Sequence, residues 1–180
     1  MRLFVAVTLP DRLSDPLAAV QADLPPSLRR TDPADAHLTL KFLGDAEPEP
    51  AREAVRAAVE SAGVAPFEAT LAGLGVFPSL DYVRVVWLGV REGRAELTRL
   101  ADAVETETVA AGFDPRDHDE FTPHVTLARM DDARGKARVQ ELVEETDPAP
   151  GPFRVEAVRL MESTGGEPRY RTVERVPLGR

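Results

Sequence analysis

The sequence contains no cysteine, which excludes a disulfide framework, a thiolate nucleophile and a thiolate metal site. Any chemistry is left to histidine, carboxylates, hydroxyls and arginine. Lysine is almost absent too: of 22 Lys and Arg residues only Lys41 and Lys136 are lysines. With a formal net charge of −9 the chain repels a polyanion at long range, so no general duplex binding is expected. A local Arg-lined groove for one RNA end stays compatible. No apolar run approaches the roughly 20 residues of a membrane span, and the opening Met1-Arg2-Leu3-Phe4-Val5-Ala6-Val7 has no signal-peptide cleavage pattern. A cytoplasmic protein with no membrane partner, working as a monomer, is the expectation. What the sequence does have is 180 residues that are 43% hydrophobic, enough for a sizeable core in one domain or two small lobes.

Apolar periodicity divides the chain into alternating elements. Leu3, Val5 and Val7 alternate with Phe4, Ala6 and Thr8 in a strand stopped by Pro10, and a helix capped by Asp11 runs to about Leu24. A strand over Ala36–Leu43 ends at Gly44-Asp45, and a helix spans Pro50 to about Ser61 with Gly63 beyond it. Phe67–Phe77 and Tyr82–Val90 form a hairpin with a longer loop, and a helix covers Arg94–Ala111. Pro123–Met130 reads as a strand and Asp132–Glu145 as a helix, followed by a rigid connector from Pro148 to Pro152. Two closing strands, Phe153–Ser163 and Arg169–Pro177, flank Gly165-Gly166. Each half of this α+β order carries one His-x-Thr strand.

Those strands hold the informative signal, His37-Leu38-Thr39-Leu40 and His124-Val125-Thr126-Leu127. In a strand, residues i and i+2 share a face, so each His lies beside its Thr, about 7 Å along the strand, while the apolar residues point into the core. Two of only three histidines sharing Thr at +2 and Leu at +3 by chance is a roughly one in ten thousand event, still rare after a tenfold discount for other patterns. An imidazole, with an unperturbed pKa of about 6.5, serves as acid or base near neutrality. Two of them supply both roles needed to open a cyclic phosphodiester, with threonine hydroxyls donating to the phosphoryl oxygens. This scheme needs no cofactor and no metal.

At these residues the chain resembles the two-histidine (2H) phosphoesterases, and within them the RNA 2′,3′-cyclic phosphodiesterase branch, also called 2′-5′ RNA ligases. The likeness extends over Met1 to Val7, His37 through Gly44, Gly75-Val76-Phe77-Pro78 with Arg84 through Gly89, and Phe121 through Arg129. It implies an α+β, bilobal fold in which two pseudo-symmetric lobes, each an antiparallel sheet flanked by helices, face an active-site groove, with residues 1–180 forming a single domain. It also implies hydrolysis of a terminal 2′,3′-cyclic phosphate to a 2′-phosphate, with His37 as proton donor and His124 as proton acceptor. The substrate is then an RNA end or a small cyclic nucleotide. The acidic stretch Asp114–Glu120 before the second motif is unexpected beside a groove for a polyanion.

Further candidates lie outside the two motifs. Arg129, five residues beyond His124, alternates off the histidine's face. Arg84, Arg169 and Arg171 can line an RNA groove, although surface arginine is common in so Arg-rich a chain. Phe42 and Tyr82 can stack on a base, against a core position for Phe42 and a loop position for Tyr82. His118 lies in the acidic loop. Two other functions compete: a metal-dependent phosphodiesterase using His37, His124, Asp35 and Asp119, and a noncatalytic RNA- or nucleotide-binding module. In the same site, 2′-5′ ligase or 2′-5′ phosphodiesterase activity is also open.

Overall fold

The structure, a computed structural model, describes residues 1–179. Two antiparallel sheets form its frame. The first has the order β3-β1-β8-β9, from β1 (Arg2–Thr8), β3 (His37–Asp45), β8 (Ala157–Ser163) and β9 (Tyr170–Pro177). The second has the order β2-β6-β5-β4-β7, from β2 (Arg29–Arg30), β4 (Phe67–Pro78), β5 (Val83–Val90), β6 (His124–Arg129) and β7 (Gly151–Val155). Helices α2 (Pro48–Ala62) and α3 (Arg94–Ala110) pack on one another and against the first sheet, while α1 (Ser14–Ala22) contacts β6 and α4 (Lys136–Glu145) contacts β4. This is the expected α+β plan of two antiparallel sheets flanked by helices. Among the described residues no helix is long and apolar enough to cross a membrane.

The packing follows the apolar spacing. In α2, Ala51, Ala54, Val55, Ala58, Val59 and Ala62 recur three and four residues apart and are all buried. Pro48 opens the helix, and Gly63 ends it with a left-handed φ of 61°. In β1 both faces are covered: Leu3, Val5 and Val7 join the main core, and Phe4 and Ala6 form a small second cluster with Met161, against which Tyr170 packs.

The lobes are not the two halves of the chain. β4 and β5 come from the first half but belong to the second sheet, and β8 and β9 return from the C-terminal end to flank β1. The single strand expected over Phe153–Ser163 is therefore two strands in different sheets, β7 beside β4 and β8 beside β1, with the break at Glu156. The buried positions are Phe153 and Val155 before the break and Val158 and Leu160 after it, so the alternation slips by one at the adjacent apolar residues Ala157 and Val158.

Two helix starts also differ. Asp11 lies within a 3-10 turn, Asp11–Leu13, after Pro10, and caps neither that turn nor α1. The helix expected from Asp132 begins only at Lys136, because the Asp132 carboxylate accepts the Arg134 N–H two residues on, closing a local turn that competes with helix. Gly135 then takes φ 84°, and a Cβ there would stand 2.7 Å from Pro25, so this start demands glycine.

Candidate active site

β3 and β6 meet across the space between the sheets, and a cavity of about 560 Å³ opens there, lined among others by His37, Thr39, His124 and Thr126. Each ring is held by the carbonyl two residues before it. His37 Nδ1 lies 2.9 Å from the Asp35 oxygen, and His124 Nδ1 lies 2.7 Å from the Thr122 oxygen. A carbonyl only accepts, so Nδ1 carries the proton and donates in both rings, leaving Nε2 free for chemistry. Local sequence sets each carbonyl. Asp35 closes a short turn whose start is capped by the Asp32 carboxylate, which accepts the Ala34 N–H at 2.9 Å. Thr122 precedes Pro123, which keeps the chain extended as it enters β6.

Beyond each threonine the two strands break register in the same way. Ala6 pairs with Thr39 and Val5 with Lys41; Trp87 pairs with Thr126 and Val86 with Ala128. One extra residue, Leu40 or Leu127, is thus inserted in each strand, and the bulge shifts the alternation by one. Phe42 and Arg129, which strict alternation puts on the opposite face from the histidines, return to the cavity side, and both line it. Phe42 is 71% exposed, not a core residue.

Aromatic rings wall both imidazoles. His37 has Phe4 and Tyr170 with ring centres 5.0 Å away, and His124 has Phe77 at 5.0 Å and Trp87 at 5.7 Å. Trp87 lies flat over Gly75, where a Cβ would come within 2.2 Å of the indole, so glycine makes room for this wall. Burial among these rings disfavours charge and lowers the pKa of both histidines below 6.5. The smaller influences differ in sign. Beyond the carbonyl bond that favours each charged ring, the Asp35 carboxylate also favours charge on His37, while Arg129 and His37 both oppose charge on His124.

Tyr82 and Arg84 do not line the cavity. The Arg84 guanidinium sits 5.3 Å from the Tyr82 ring centre and reaches the Asp131 carbonyl at 3.5 Å, so the pair is occupied with itself and with the loop after β6. Arg171 is tied to Glu162 at 2.5 Å, whereas Arg169 lines the cavity. Sequence reasoning missed Arg2, Phe4, Thr31, Phe77 and Tyr170 as lining residues. Arg2 and Phe4 carried a usable signal, being alternate residues of the first strand.

The acidic stretch contributes nothing to the cavity lining. It is folded back instead: Glu105 accepts the Arg116 backbone N–H at 3.1 Å and the buried Lys41 ammonium at 2.6 Å, and the Arg116 side chain reaches Asp102 and the Asp119 carbonyl. His118 is exposed. Among the described residues no three His, Cys, Asp or Glu side chains gather in a way that could hold a metal ion.

Two antiparallel sheets presenting a His-x-Thr pair each to one cavity define a class of phosphoester-handling folds. The model of the 2′-5′ RNA ligase superfamily matches residues 9–167, and the chain belongs to that superfamily, the two-histidine phosphoesterases. It is similar to the RNA 2′,3′-cyclic phosphodiesterase of Aeropyrum pernix, 37% identical over 152 residues covering 83% of this chain and 85% of that one. It is also similar to the RNA 2′,3′-cyclic phosphodiesterase of Methanothermobacter thermautotrophicus, 33% identical with 97% of each chain covered. Among solved structures, Escherichia coli LigT complexed with 3′-AMP superposes with a TM-score of 0.78 at 28% identity, covering 99% of this chain and 98% of that one.

Proposed function

We propose that this protein is an RNA 2′,3′-cyclic phosphodiesterase that opens a terminal cyclic phosphate to a 2′-phosphate by acid–base catalysis between His37 and His124. One observation carries the reading. Two imidazoles from separate sheets border one cavity, each with Nδ1 committed to a backbone carbonyl and Nε2 left over.

His124 Nε2 takes a proton from water as its oxygen bonds to phosphorus; the bond from phosphorus to O3′ breaks, and His37 Nε2 gives O3′ its proton. The product carries a 2′-phosphate and a free 3′-hydroxyl, and exchange with solvent restores both rings. The division of roles rests on environment: Asp35 favours the charged form of His37, as an acid needs, and Arg129 favours the neutral form of His124, as a base needs. The Thr39 and Thr126 hydroxyls donate to the non-bridging oxygens, Arg129 balances the charge that builds on them, and Phe42 offers a face to the base. In the ligating direction donor and acceptor exchange. Both motifs lie in one chain, so a single chain carries the whole proposed site; in this reading it works as a monomeric single domain on RNA ends or cyclic nucleotides and the acid–base scheme uses no metal or cofactor.

The test is incubation with a 2′,3′-cyclic nucleotide in excess EDTA, with the phosphomonoester identified by its position. A 2′-phosphate formed at an undiminished rate is expected. A 3′-phosphate, or dependence on added metal, overturns the scheme.

A further inference from the structure

The arginines of this acidic chain are mostly occupied. Nine of them, among them Arg29, Arg52, Arg56, Arg91 and Arg171, are paired with carboxylates. Six more of the described arginines, Arg12, Arg30, Arg84, Arg94, Arg99 and Arg159, donate to carbonyl or hydroxyl oxygens; of the four described ones left without either kind of partner, Arg2, Arg129 and Arg169 line the catalytic cavity and Arg175 does not. A charge of −9 gives every guanidinium carboxylates to choose from. Three exposed and unpaired ones around a single cavity are therefore a concentrated positive field in an otherwise anionic surface.

They do not sit together. Arg129 is on the histidine face of β6, but Arg2 and Arg169 mark the opposite end of the first sheet. Arg2 begins β1, opposite Asp45 at the end of β3, and Arg169 immediately precedes β9, whose Tyr170 pairs with Ser163 at the end of β8. Between this end and His37 lie Phe4, Phe42 and Tyr170, with the Phe4 ring centre 6.1 Å from Phe42 and 5.5 Å from Tyr170. Along β1 the sequence of pairings is Ala6 beside Thr39, Phe4 beside Phe42, then Arg2. Four residues separate Ala6 from Arg2, about 13 Å at the rise of a strand. A nucleotide whose phosphate is held between the histidines and whose base lies on the aromatic rings leaves the two arginines beyond it. The carboxylates that line the cavity, Asp32 and Asp35, belong to the segment leading into β3 before His37, away from that end. Asp45, although across from Arg2, makes no ion pair with it among the described residues.

We infer that Arg2 and Arg169 form a second phosphate subsite, which holds the phosphodiester on the 5′ side of the terminal nucleotide. The preferred substrate is then an oligonucleotide end of at least two nucleotides and not a cyclic mononucleotide. This rests on the reading of the cavity as a cyclic phosphodiesterase site. It also explains how an anionic protein selects an RNA end: attraction is confined to two phosphates at one mouth, so long duplexes gain nothing.

The experiment compares kcat/KM for a 2′,3′-cyclic mononucleotide and for a dinucleotide ending in a 2′,3′-cyclic phosphate. It uses the wild type, the Arg2→Gln/Arg169→Gln double variant and Arg169→Lys. The expected wild-type preference for the dinucleotide is about tenfold or more; the double variant brings the ratio near one, and Arg169→Lys keeps most of it. The dinucleotide's log–log salt slope falls by about 0.7 in the double variant, the change expected when one single-strand phosphate is no longer neutralised. A wild-type ratio of one, or a ratio the double variant leaves unchanged, overturns the subsite whatever happens to the separate rates. Calorimetry with 3′-AMP and with ApA 3′-phosphate separates the two readings. If nothing is hydrolysed but the dinucleotide binds tighter and loses that advantage in the double variant, the subsite stands and the enzymatic reading falls. Equal binding of both ligands removes the subsite.

Discussion

The two histidine strands are alike up to one position and unlike after it. β3 and β6 share the carbonyl at i−2, the threonine at i+2 and the bulge beyond it. Then β3 continues with buried Lys41 and exposed Phe42, and β6 with buried Ala128 and exposed Arg129. The similar part is what acid–base chemistry on a near-symmetric phosphoryl centre asks for. The dissimilar part gives the cavity an apolar side and a cationic side, as a nucleotide with one base and one charged end asks for. In the proposed reaction the shared part serves the chemistry and the unshared part serves the substrate.

The largest effect expected from testing this comparison is loss of turnover in His37→Ala and His124→Ala. Each should fall by about 10²- to 10⁴-fold in kcat, and the double variant should fall little further, since the two act on one step. Single-turnover assays with a cyclic nucleotide check this, and a variant that retains wild-type rates dissolves the equivalence of the strands. Next, Arg129→Met should cost about 10²-fold in kcat and move the pH profile. His124 titrates below 6.5, and its positive neighbour opposes protonation, so removing the charge raises its pKa and shifts the acid limb of kcat/KM to higher pH. An acid limb that stays in place shows that Arg129 is not felt by the base.

Phe42→Ala, the matching change on the other strand, should leave that limb alone and act on KM, by about 1–3 kcal/mol for a lost base stack. A drop in kcat at constant KM would make the two positions functionally alike after all. The smallest effect on catalysis belongs to Lys41→Met. It leaves the Glu105 carboxylate without its ammonium partner and should reduce stability by about 1–3 kcal/mol in urea titrations, with nucleotide affinity little changed.

Most of the frame was legible because the strands keep period two and α2 keeps its small-residue face. That each histidine shares a face with its threonine was legible for the same reason, and both pairs line the cavity. Strict alternation turns Arg129 off the histidine face, and the bulge is what returns this candidate to the cavity; the run His124-Val125-Thr126-Leu127-Ala128-Arg129 shows the slip in its own polarity, because two apolar residues stand together before the next polar one. The same slip in β3 is hidden, because the buried inward residue there is Lys41, whose charge is satisfied by an ion pair with a helix far along the chain. The change of sheet at Glu156 leaves the same kind of trace in the adjacent apolar residues Ala157 and Val158, but the strands that receive β7 and β8 there, β4 and β1, lie far along the chain. Tyr82 and Arg84 looked available as single residues, and only the folded loop reveals that they engage each other.

The anchoring of both rings by main-chain oxygens has a consequence for how the protein can drift. Where an acidic side chain orients an imidazole, a single codon change removes it. Here the orienting atoms belong to the peptide backbone at Asp35 and Thr122, and every amino acid supplies the same oxygen. Replacement of either residue leaves the proton on the same nitrogen as long as the approach to the strand keeps its path, so for ring orientation the vulnerable spots are the shape-setting neighbours, Asp32 and Pro123, while the Asp35 carboxylate matters to the charge of His37 alone.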